Sequence, residues 1–302
     1  MFLNTPRNRA ALGLVAVAAL ALSLSACGEK KSESTPGSKS TEKVTVDQAL
    51  AGKVPAAIKS DGKIIVGSDT SYAPSEFLDT DGKTAIGFDV DLFNAIAQKL
   101  GLKSEFQSAK FADIIPGVQS GKYEAGVSSF TINAERLKEV NMISYFSAGT
   151  QWAVKKGATV NPDDVCGKKV AVQTATVQVD DITARSKKCT DAGKPAITID
   201  QYQAQSDATT AVVSGKDDAM LADSPVCAYA VKQTGGQLAL AGNIYDSAPY
   251  GMVVAKDQTQ FAEALQGAVK ALVSDGTYKN ILSKWGVEAG ALSTDPAVNP
   301  SV

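Results

Sequence analysis

A strand-to-helix turn at residues 124–136 carries the polar groups best suited to chemistry in this sequence. Three hydroxyl residues, Ser128, Ser129 and Thr131, separate a short apolar segment from Arg136 at the start of a predicted helix. Unsatisfied backbone N–H groups and the helix dipole attract anions at such a position. Hydroxyls and a guanidinium supply further donors, so the turn is predicted to hold a small carboxylate. An ordinary helix cap beside a surface arginine would have the same spacing.

Composition narrows the possible functions. The chain has 302 residues, 44% hydrophobic and 21% charged, with a formal net charge of −2. This balance is typical of a globular protein and gives no reason to expect a nucleic-acid partner. Histidine is absent. Because histidine is the commonest general base and a frequent metal ligand, hydrolase and zinc-enzyme interpretations lose support.

The N-terminus has the pattern of an export signal. Arg7 and Arg9 precede an uncharged apolar run over residues 10–24, which is shorter than a typical membrane span. Small residues then lead to Cys27, an arrangement that resembles the lipobox of bacterial lipoproteins. We expect a signal peptide over residues 1–26, a lipidated Cys27 and an extracytoplasmic protein anchored to the cell membrane. A secretory signal cleaved beside a coincidental cysteine is the alternative.

The remaining cysteines suggest one disulfide. Cys166 and Cys189 flank one predicted strand–helix unit, so this pair is favoured in an oxidising compartment. Cys227 would then be a buried, unpaired residue of a predicted helix. Sequence alone leaves the other pairings open.

Strand and helix patterns alternate along the chain after residue 62. Residues 27–62 are expected to form a disordered tether and a leading helix. The segment from Phe88 to Gly101 has one apolar helical face, acids in its first turn and a glycine after its end. Predicted strands lie at 63–67, 102–106, 123–127, 169–172, 196–199, 218–221 and 250–254, with helices at 113–119, 177–186, 206–213, 224–233, 261–272 and 277–285. This order predicts α/β layers with mostly parallel sheets.

Several motifs in this order resemble those of the family 3 solute-binding proteins, the polar amino acid receptors of bacterial ABC importers. The similarity runs from about Lys63 to Val287. The motifs that show this similarity are Gly87-Phe88-Asp89-Val90-Asp91-Leu92, Asp69-Thr70-Ser71-Tyr72-Ala73-Pro74, Phe111 to Val118, Ser128 to Arg136, Asp275-Gly276-Thr277-Tyr278 and Lys284-Trp285-Gly286.

The resemblance implies a two-lobed periplasmic-binding-protein fold (type II, or Venus flytrap) with two hinge crossings. Lobe 1 would comprise residues 63–149 and 251–288, and lobe 2 residues 150–250. Residues 289–302 are expected to form a flexible tail. Ligand would bind between the lobes at the strand C-termini.

The resemblance also implies roles for individual residues. Arg136, helped by Ser129 and Thr131, would pair with the ligand α-carboxylate, and Asp223 would take the α-ammonium. Thr176 would reach the same carboxylate from lobe 2, although Ala175 stands where the family commonly has glycine. Tyr72 and Phe111 would sandwich the ligand side chain, and Asp69 would read its far end.

Each of the latter assignments has a structural alternative. Asp223 could cap a helix that begins with Pro225. Tyr72 and Phe111 could belong to the core, and Asp69 could form an Asx-turn in its own loop. A carboxylate at Asp69 would suit a basic or an amide side chain alike, so the ligand is not identified.

The sequence thus predicts a lipid-anchored receptor that binds a free L-amino acid and delivers it to an ABC permease. It is not expected to be an enzyme or to need a cofactor or metal. An exported dehydratase of the same fold is the main alternative, but it would need a placed proton donor. A sensor ectodomain and a surface lipoprotein without a transport role are further alternatives.

Overall fold

A computed structural model describes residues 44–301 of the chain. These residues form a mixed α/β structure with eleven strands and ten α-helices. The strands are β1 (Lys63–Ser68), β2 (Ser71–Tyr72), β3 (Glu76–Leu78), β4 (Ala85–Ile86), β5 (Lys103–Ser108), β6 (Ala125–Thr131), β7 (Val140–Lys155), β8 (Lys169–Gln173), β9 (Thr198–Tyr202), β10 (Ala219–Asp223) and β11 (Leu238–Ala255). The helices are α1 (Gln48–Lys53), α2 (Ala56–Asp61), α3 (Phe88–Lys99), α4 (Phe111–Gln119), α5 (Ala134–Glu139), α6 (Val177–Asp191), α7 (Gln205–Ser214), α8 (Ser224–Gln233), α9 (Thr259–Ser274) and α10 (Thr277–Trp285), followed by a 3₁₀ turn at Glu288–Gly290.

Eight strands form one sheet in the order β5-β1-β6-β11-β7-β10-β8-β9. The three strands at each end are parallel to one another, whereas β7 and β11 in the middle are antiparallel to their neighbours. β7 and β11 have 16 and 18 residues; they pair with each other, and β11 also pairs with β6 of one half while β7 pairs with β10 of the other. The two long strands therefore join the two parallel halves.

Both parallel halves direct their C-terminal ends to the same region. β6 ends at Thr131, β8 at Gln173 and β10 at Asp223. In open α/β sheets this edge is where ligands bind. The predicted site residues lie in or directly after these strands.

Helix α3 follows from its sequence pattern. Phe88, Leu92 and Ile96 recur every four residues and are all fully buried, which fixes the face that packs on the sheet. Gly87 precedes the helix at φ +136°, and a Cβ there would lie 2.0 Å from the carbonyl oxygen of Ser75. Only glycine fits this close approach between backbones.

The predicted disulfide between Cys166 and Cys189 is formed, with a Cα–Cα distance of 5.6 Å. It links the loop before β8 to the last turn of α6. Cys227 is a buried free thiol in α8, which agrees with the sequence-based interpretation.

The segments on either side of the two-lobed region are packed against it. Asp47 caps α1 and donates its N–H to the carbonyl of Lys99 at 2.8 Å. The predicted leading helix is two short helices, because Pro55 separates α1 from α2. Val54 and Ile58 join the core.

The expectation of a flexible tail at residues 289–302 is wrong for the part that the structure describes. Asn299 donates its N–H to the carbonyl of Met142 at 2.7 Å, and Ser144 donates to Ala297 at 2.9 Å. These bonds attach the tail to β7. They satisfy backbone groups that a hydropathy pattern does not reveal. The predicted lipidation site Cys27, the predicted signal peptide and the predicted tether lie outside the described residues.

No helix within residues 44–301 combines the length and apolarity needed to cross a bilayer. The described residues also contain no group of three His, Cys, Asp or Glu side chains placed to hold a metal ion.

Candidate functional site

A small cavity lies where the ends of β6, β8 and β10 meet. Its lining includes seven of the eight ligand-binding residues predicted from the sequence: Tyr72, Phe111, Ser129, Thr131, Arg136, Thr176 and Asp223. The lining also includes Ser128, Gln173, Val177 and Gln178.

Arg136 forms one wall of the cavity. Asn133 caps helix α5 and accepts the N–H of Arg136 at 2.9 Å, which fixes where the side chain leaves the helix. Its Nη1 donates to the carbonyl of Thr131 at 2.8 Å. The guanidinium also lies over the stacked rings of Phe111 and Phe130, 5.4 and 5.5 Å from their centroids. The guanidinium is thus held by neutral groups and keeps its full charge.

Asp223 forms the opposite wall. Its carboxylate accepts hydrogen bonds from the hydroxyls of Tyr72 at 2.8 Å and Tyr250 at 2.7 Å, and from Nε2 of Gln178 at 2.8 Å. Burial raises the pKa of Asp223, and these hydrogen bonds together with the charge of Arg136 oppose the rise. Asp223 is also the N-cap residue of α8, but its side chain makes no capping hydrogen bond. The alternative of a capping side chain is therefore not what the structure shows.

Neither charge is neutralised by a protein side chain. Nine ion pairs occur within residues 44–301, and none involves Arg136 or Asp223. Each group nevertheless affects the pKa of the other, so the two charges act across the same cavity. A molecule with one negative and one positive end could satisfy both.

Thr176 lies at the N-cap of α6, where the helix start faces the cavity. Its hydroxyl donates to the carbonyl of Gln173 at 2.7 Å. Ala175 next to it has φ +64°, a region that favours glycine, and its carbonyl accepts from Nη2 of Arg136 at 3.2 Å. The turn that departs from the common family pattern thus keeps a glycine-like backbone.

Asp69 is absent from the cavity lining. One oxygen accepts from the N–H and hydroxyl of Ser71 at 3.1 and 2.6 Å, and the other accepts from Phe111 N–H at 3.1 Å and Gln173 Nε2 at 2.8 Å. The bond from the Ser71 N–H is the Asx-turn that the sequence allowed. Burial raises the pKa of Asp69, and these four hydrogen bonds oppose the rise. A direct contact between Asp69 and a ligand side chain stays a prediction.

Tyr72 and Phe111 were predicted either to contact the ligand or to pack in the core, and the structure places each of them in both the core and the cavity lining. Tyr72 is only 5% exposed and belongs to a core cluster of the second half, yet it also lines the cavity. Phe111 stacks on Phe130 with ring centroids 4.7 Å apart, and it also lines the cavity.

Sequence analysis missed three polar residues that shape the site. Gln178 and Tyr250 hold Asp223, and Gln173 connects the two halves through Asp69. The position of Gln178 in the first turn of α6 was the available signal for that residue. Tyr250 lies in β11, at the end of a predicted crossing, where its long-range partner could not be identified.

A larger groove of about 1,000 Å³ lies beside Trp152, Arg185 and Tyr245. The guanidinium of Arg185 is already paired with the carboxylate of Asp181, with Nε 2.9 Å from Oδ1. The groove therefore lacks the unpaired opposite charges that characterise the smaller cavity.

Comparisons with known proteins agree with this geometry. A family model described as bacterial extracellular solute-binding proteins, family 3, matches residues 64–288. The arginine-binding protein ArgT of Corynebacterium glutamicum is 34% identical over 290 residues, which cover 94% of each chain.

Two solved structures are similar to the present one. An ancestral arginine-binding protein bound to arginine has a TM-score of 0.68 and 35% identity, covering 74% of this chain and 98% of its own. The ancestral amino acid-binding protein AncCDT-1, described as a precursor of cyclohexadienyl dehydratase, has a TM-score of 0.64 and 32% identity, with 76% and 97% covered. The predicted two-lobed α/β fold with two hinge crossings is confirmed. The extent of the family match and the identity over nearly the whole chain show that this protein belongs to the bacterial extracellular solute-binding proteins, family 3.

Proposed function

We propose that this protein is the extracytoplasmic substrate-binding component of an ABC importer and that it binds a polar or basic L-amino acid in the cavity between its lobes. The observation that carries the proposal is that a partly buried arginine, Arg136, and a buried carboxylate, Asp223, line the same cavity, and neither forms an ion pair with a side chain of residues 44–301. A zwitterion that leaves water must have both charges satisfied, because an unpaired buried charge is heavily penalised. Arg136 would bind the α-carboxylate and Asp223 the α-ammonium.

The other predicted residues would complete the site around these two anchors. Ser129 and Thr131 would add donors to the carboxylate, and Thr176 would approach it from the N-terminus of α6. Tyr72 and Phe111 would contact the ligand side chain. Arginine is the leading candidate because two of the three proteins named above are arginine-binding proteins.

Binding would be coupled to hinge closure. The proposed lobes are residues 63–149 with 251–288 and residues 150–250, and the register supports this division because β7, which pairs with β11 along its length, pairs with β10 as well only from Thr150 onward. Direct hydrogen bonds already link the two proposed lobes: Gln173 to Asp69 at 2.8 Å and Gln205 N–H to Ser71 at 3.0 Å. Ligand that contacts both walls would favour the closed population.

The proposed location is the outer face of the cell membrane, through a lipid on Cys27 after removal of residues 1–26. The lipobox-like sequence supports this anchor. The proposed partners are the free amino acid and the permease subunits of the transporter.

A transport role is favoured over an enzymatic one. The similar proteins named above are binding proteins, including the neighbour described as a dehydratase precursor. Incubation with the bound amino acid followed by mass spectrometry would separate the two, since a receptor returns its ligand unchanged.

A thermal-shift screen against the twenty L-amino acids tests the binding proposal. At about 100 times its Kd, a true ligand should raise the melting temperature by roughly 5–10 °C. The variant Arg136→Gln should lose the shift for every amino acid. Arg185→Gln, which changes a paired arginine away from the cavity, should retain it. The proposal fails if no amino acid produces a shift or if Arg136→Gln keeps it.

A further inference from the structure

Two fully buried carboxyl groups lie directly behind the cavity. Glu76 on β3 and Asp89 at the start of α3 are both 0% exposed, and the backbone N–H of Asp89 donates to the carbonyl of Ser75, the residue before Glu76, at 3.0 Å. No donor within residues 44–301 reaches Oε2 of Glu76 or Oδ1 of Asp89, and each carboxyl group affects the pKa of the other. Two carboxylates have no proton to donate, so a hydrogen bond between them would require that one be protonated.

We propose that Glu76 and Asp89 share one proton and that this pair positions the Ser128–Ser129 turn of the binding site. The sharing of the proton is independent of any ligand. The positioning role rests on the proposed amino acid-binding function.

The hydrogen bonds indicate which residue keeps the proton. Asp89 accepts from the hydroxyl of Tyr145 at 2.5 Å and from the N–H and hydroxyl of Ser129 at 3.3 and 3.4 Å. Glu76 accepts only from the hydroxyl of Ser128, at 2.8 Å, among donors of the described residues. Since donors stabilise the ionised form, Asp89 is the carboxylate and Glu76 is the acid.

Burial has the same consequence for the pair. It raises the pKa of Glu76 well above the ordinary value, with a further rise from the neighbouring charge of Asp89. It raises the pKa of Asp89 to about 6, because the hydrogen bonds from Tyr145 and its other neighbours offset part of the effect. At neutral pH the pair therefore carries one proton and one negative charge.

The surrounding groups offer no positive charge to replace the proton. Asp69, in the turn after β1, adds a negative charge that acts on Glu76. Tyr145 from β7 and Tyr278 from α10 face Asp89 and are themselves neutral, because burial raises the pKa of each hydroxyl. Two adjacent carboxylates in this environment would repel each other without compensation.

The pair is connected to the binding site through the two serines. Ser128 donates to Glu76 and accepts the N–H of Asp69 at 3.0 Å. Ser129 has φ +51°, which is rarely adopted by residues other than glycine, and its N–H and hydroxyl both point to Asp89. Such a backbone conformation persists only where its surroundings enforce it. Both serines line the cavity, so the pair fixes the turn that forms this part of the cavity wall and leads to Thr131.

The first test measures the proton without ligand, on the purified wild type, Glu76→Gln and the surface control Glu105→Gln. Infrared spectroscopy at pH 7.5 should show the carbonyl band of a protonated carboxylic acid in the wild type and in Glu105→Gln. Glu76→Gln should lack this band. A wild type without the band, or a Glu76→Gln variant that keeps it, would overturn the shared proton.

The second test uses the linkage between proton binding and folding. Folded wild type retains a proton on Glu76 that the unfolded chain releases, so its stability falls as pH rises above the ordinary glutamate pKa. Above the pKa of Asp89 only this one proton matters, and glutamine cannot release it. From about pH 6.5 to 8, the folding equilibrium constant of the wild type should therefore fall about tenfold per pH unit relative to Glu76→Gln, as measured by urea unfolding. A ratio that does not change with pH would contradict the proposal.

The third test addresses positioning, with L-arginine as the probe in calorimetric titrations. Glutamine can still donate to Asp89 and accept from Ser128, so Glu76→Gln should bind within about threefold of the wild type. Glu76→Leu, which cannot make either bond, should bind at least about tenfold more weakly. Equal loss in both variants would show that the shared proton does not position the turn. If no protein binds any amino acid, the proposed function fails, while the two ligand-free tests still decide the proton.

Discussion

Replacement of Asp223 by asparagine separates the role of its charge from the role of its shape. In the structure the carboxylate is held by the hydroxyls of Tyr72 and Tyr250 and by the amide of Gln178. All three are neutral donors, so the buried charge has no protein counter-ion within residues 44–301. Asparagine has nearly the same volume and keeps one accepting oxygen, and the tyrosine hydroxyls can turn to accept from its NH₂ group.

The substitution should change stability little but weaken ligand binding strongly. Without ligand, the free energy of unfolding should not fall by more than about 1 kcal/mol, because the variant no longer buries an unpaired charge. With ligand, the α-ammonium would lose its counter-ion. Truncating one partner of a buried, hydrogen-bonded charge pair costs about 2–5 kcal/mol, so the Kd should rise roughly 30- to 5,000-fold.

Calorimetric titration with L-arginine and urea unfolding would measure both quantities. Asp181→Asn is a matched control, because Asp181 is a carboxylate of the same half that is paired with Arg185 at 2.9 Å. Loss of the Asp181 charge should lower the free energy of unfolding by about 1 kcal/mol or less and leave the Kd for arginine unchanged within about twofold. If Asp223→Asn bound arginine within threefold of the wild type, the assignment of the α-ammonium to Asp223 would be wrong.

Three further predictions follow from the contacts around the cavity. Phe77→Ala should weaken ligand binding about 2- to 13-fold, because the Phe77 and Tyr229 rings lie in different proposed lobes with centroids 5.8 Å apart, and such aromatic pairs contribute about 0.5–1.5 kcal/mol. Small-angle X-ray scattering of this variant with ligand present should also show a less compact molecule than the wild type. Replacing Cys166 and Cys189 by serine should lower the free energy of unfolding by about 2–4 kcal/mol, and unfolding of this variant should not respond to a reducing agent. Ala175→Gly should raise the free energy of unfolding by up to ~1 kcal/mol, since relief of the left-handed conformation at φ +64° exceeds the added entropy of the unfolded chain. A clear loss of stability in this variant would show that the turn is not strained.

The elements that were predicted correctly have strong local patterns. Helix α3 combines a continuous apolar face with a following glycine, and the structure places it at Phe88–Lys99. The inner parallel strands β6 and β10 are short, buried runs, such as Ala219–Asp223, which stand out from their polar flanks. These features depend on neighbours in sequence, so a single chain is enough to find them.

Of the two long strands that join the halves, only residues 250–254 of β11 were predicted in this way. β11 contains two glycines, a proline and an aspartate over Leu238–Ala255, a composition typical of loops, and its pairing with β7 has three register shifts. β7 is buried through most of its length and therefore lacks the alternation of a half-exposed strand. Only pairing across the fold identifies these segments as strands.

Asp89 shows the same limit for single residues. The sequence places it in the first turn of a helix, where an acid is favoured by the helix dipole. The structure buries it completely against Glu76, which the sequence analysis did not select. Whether an acid at a helix start faces water or another carboxyl depends on a contact between residues 13 positions apart, and no local pattern encodes it.

The distinction between a structural and a functional charge is likewise a tertiary property. Arg185 and Arg136 are both partly buried arginines that lie over aromatic rings. Arg185 is neutralised by Asp181, whereas Arg136 is held by the backbone carbonyls of Thr131 and Ala175. Carbonyls orient a guanidinium without cancelling its charge, and the neutral donors around Asp223 do the same for the carboxylate. The cavity thus keeps two opposite charges, and under the proposed function a zwitterion bound between them would offset their cost and couple binding to closure.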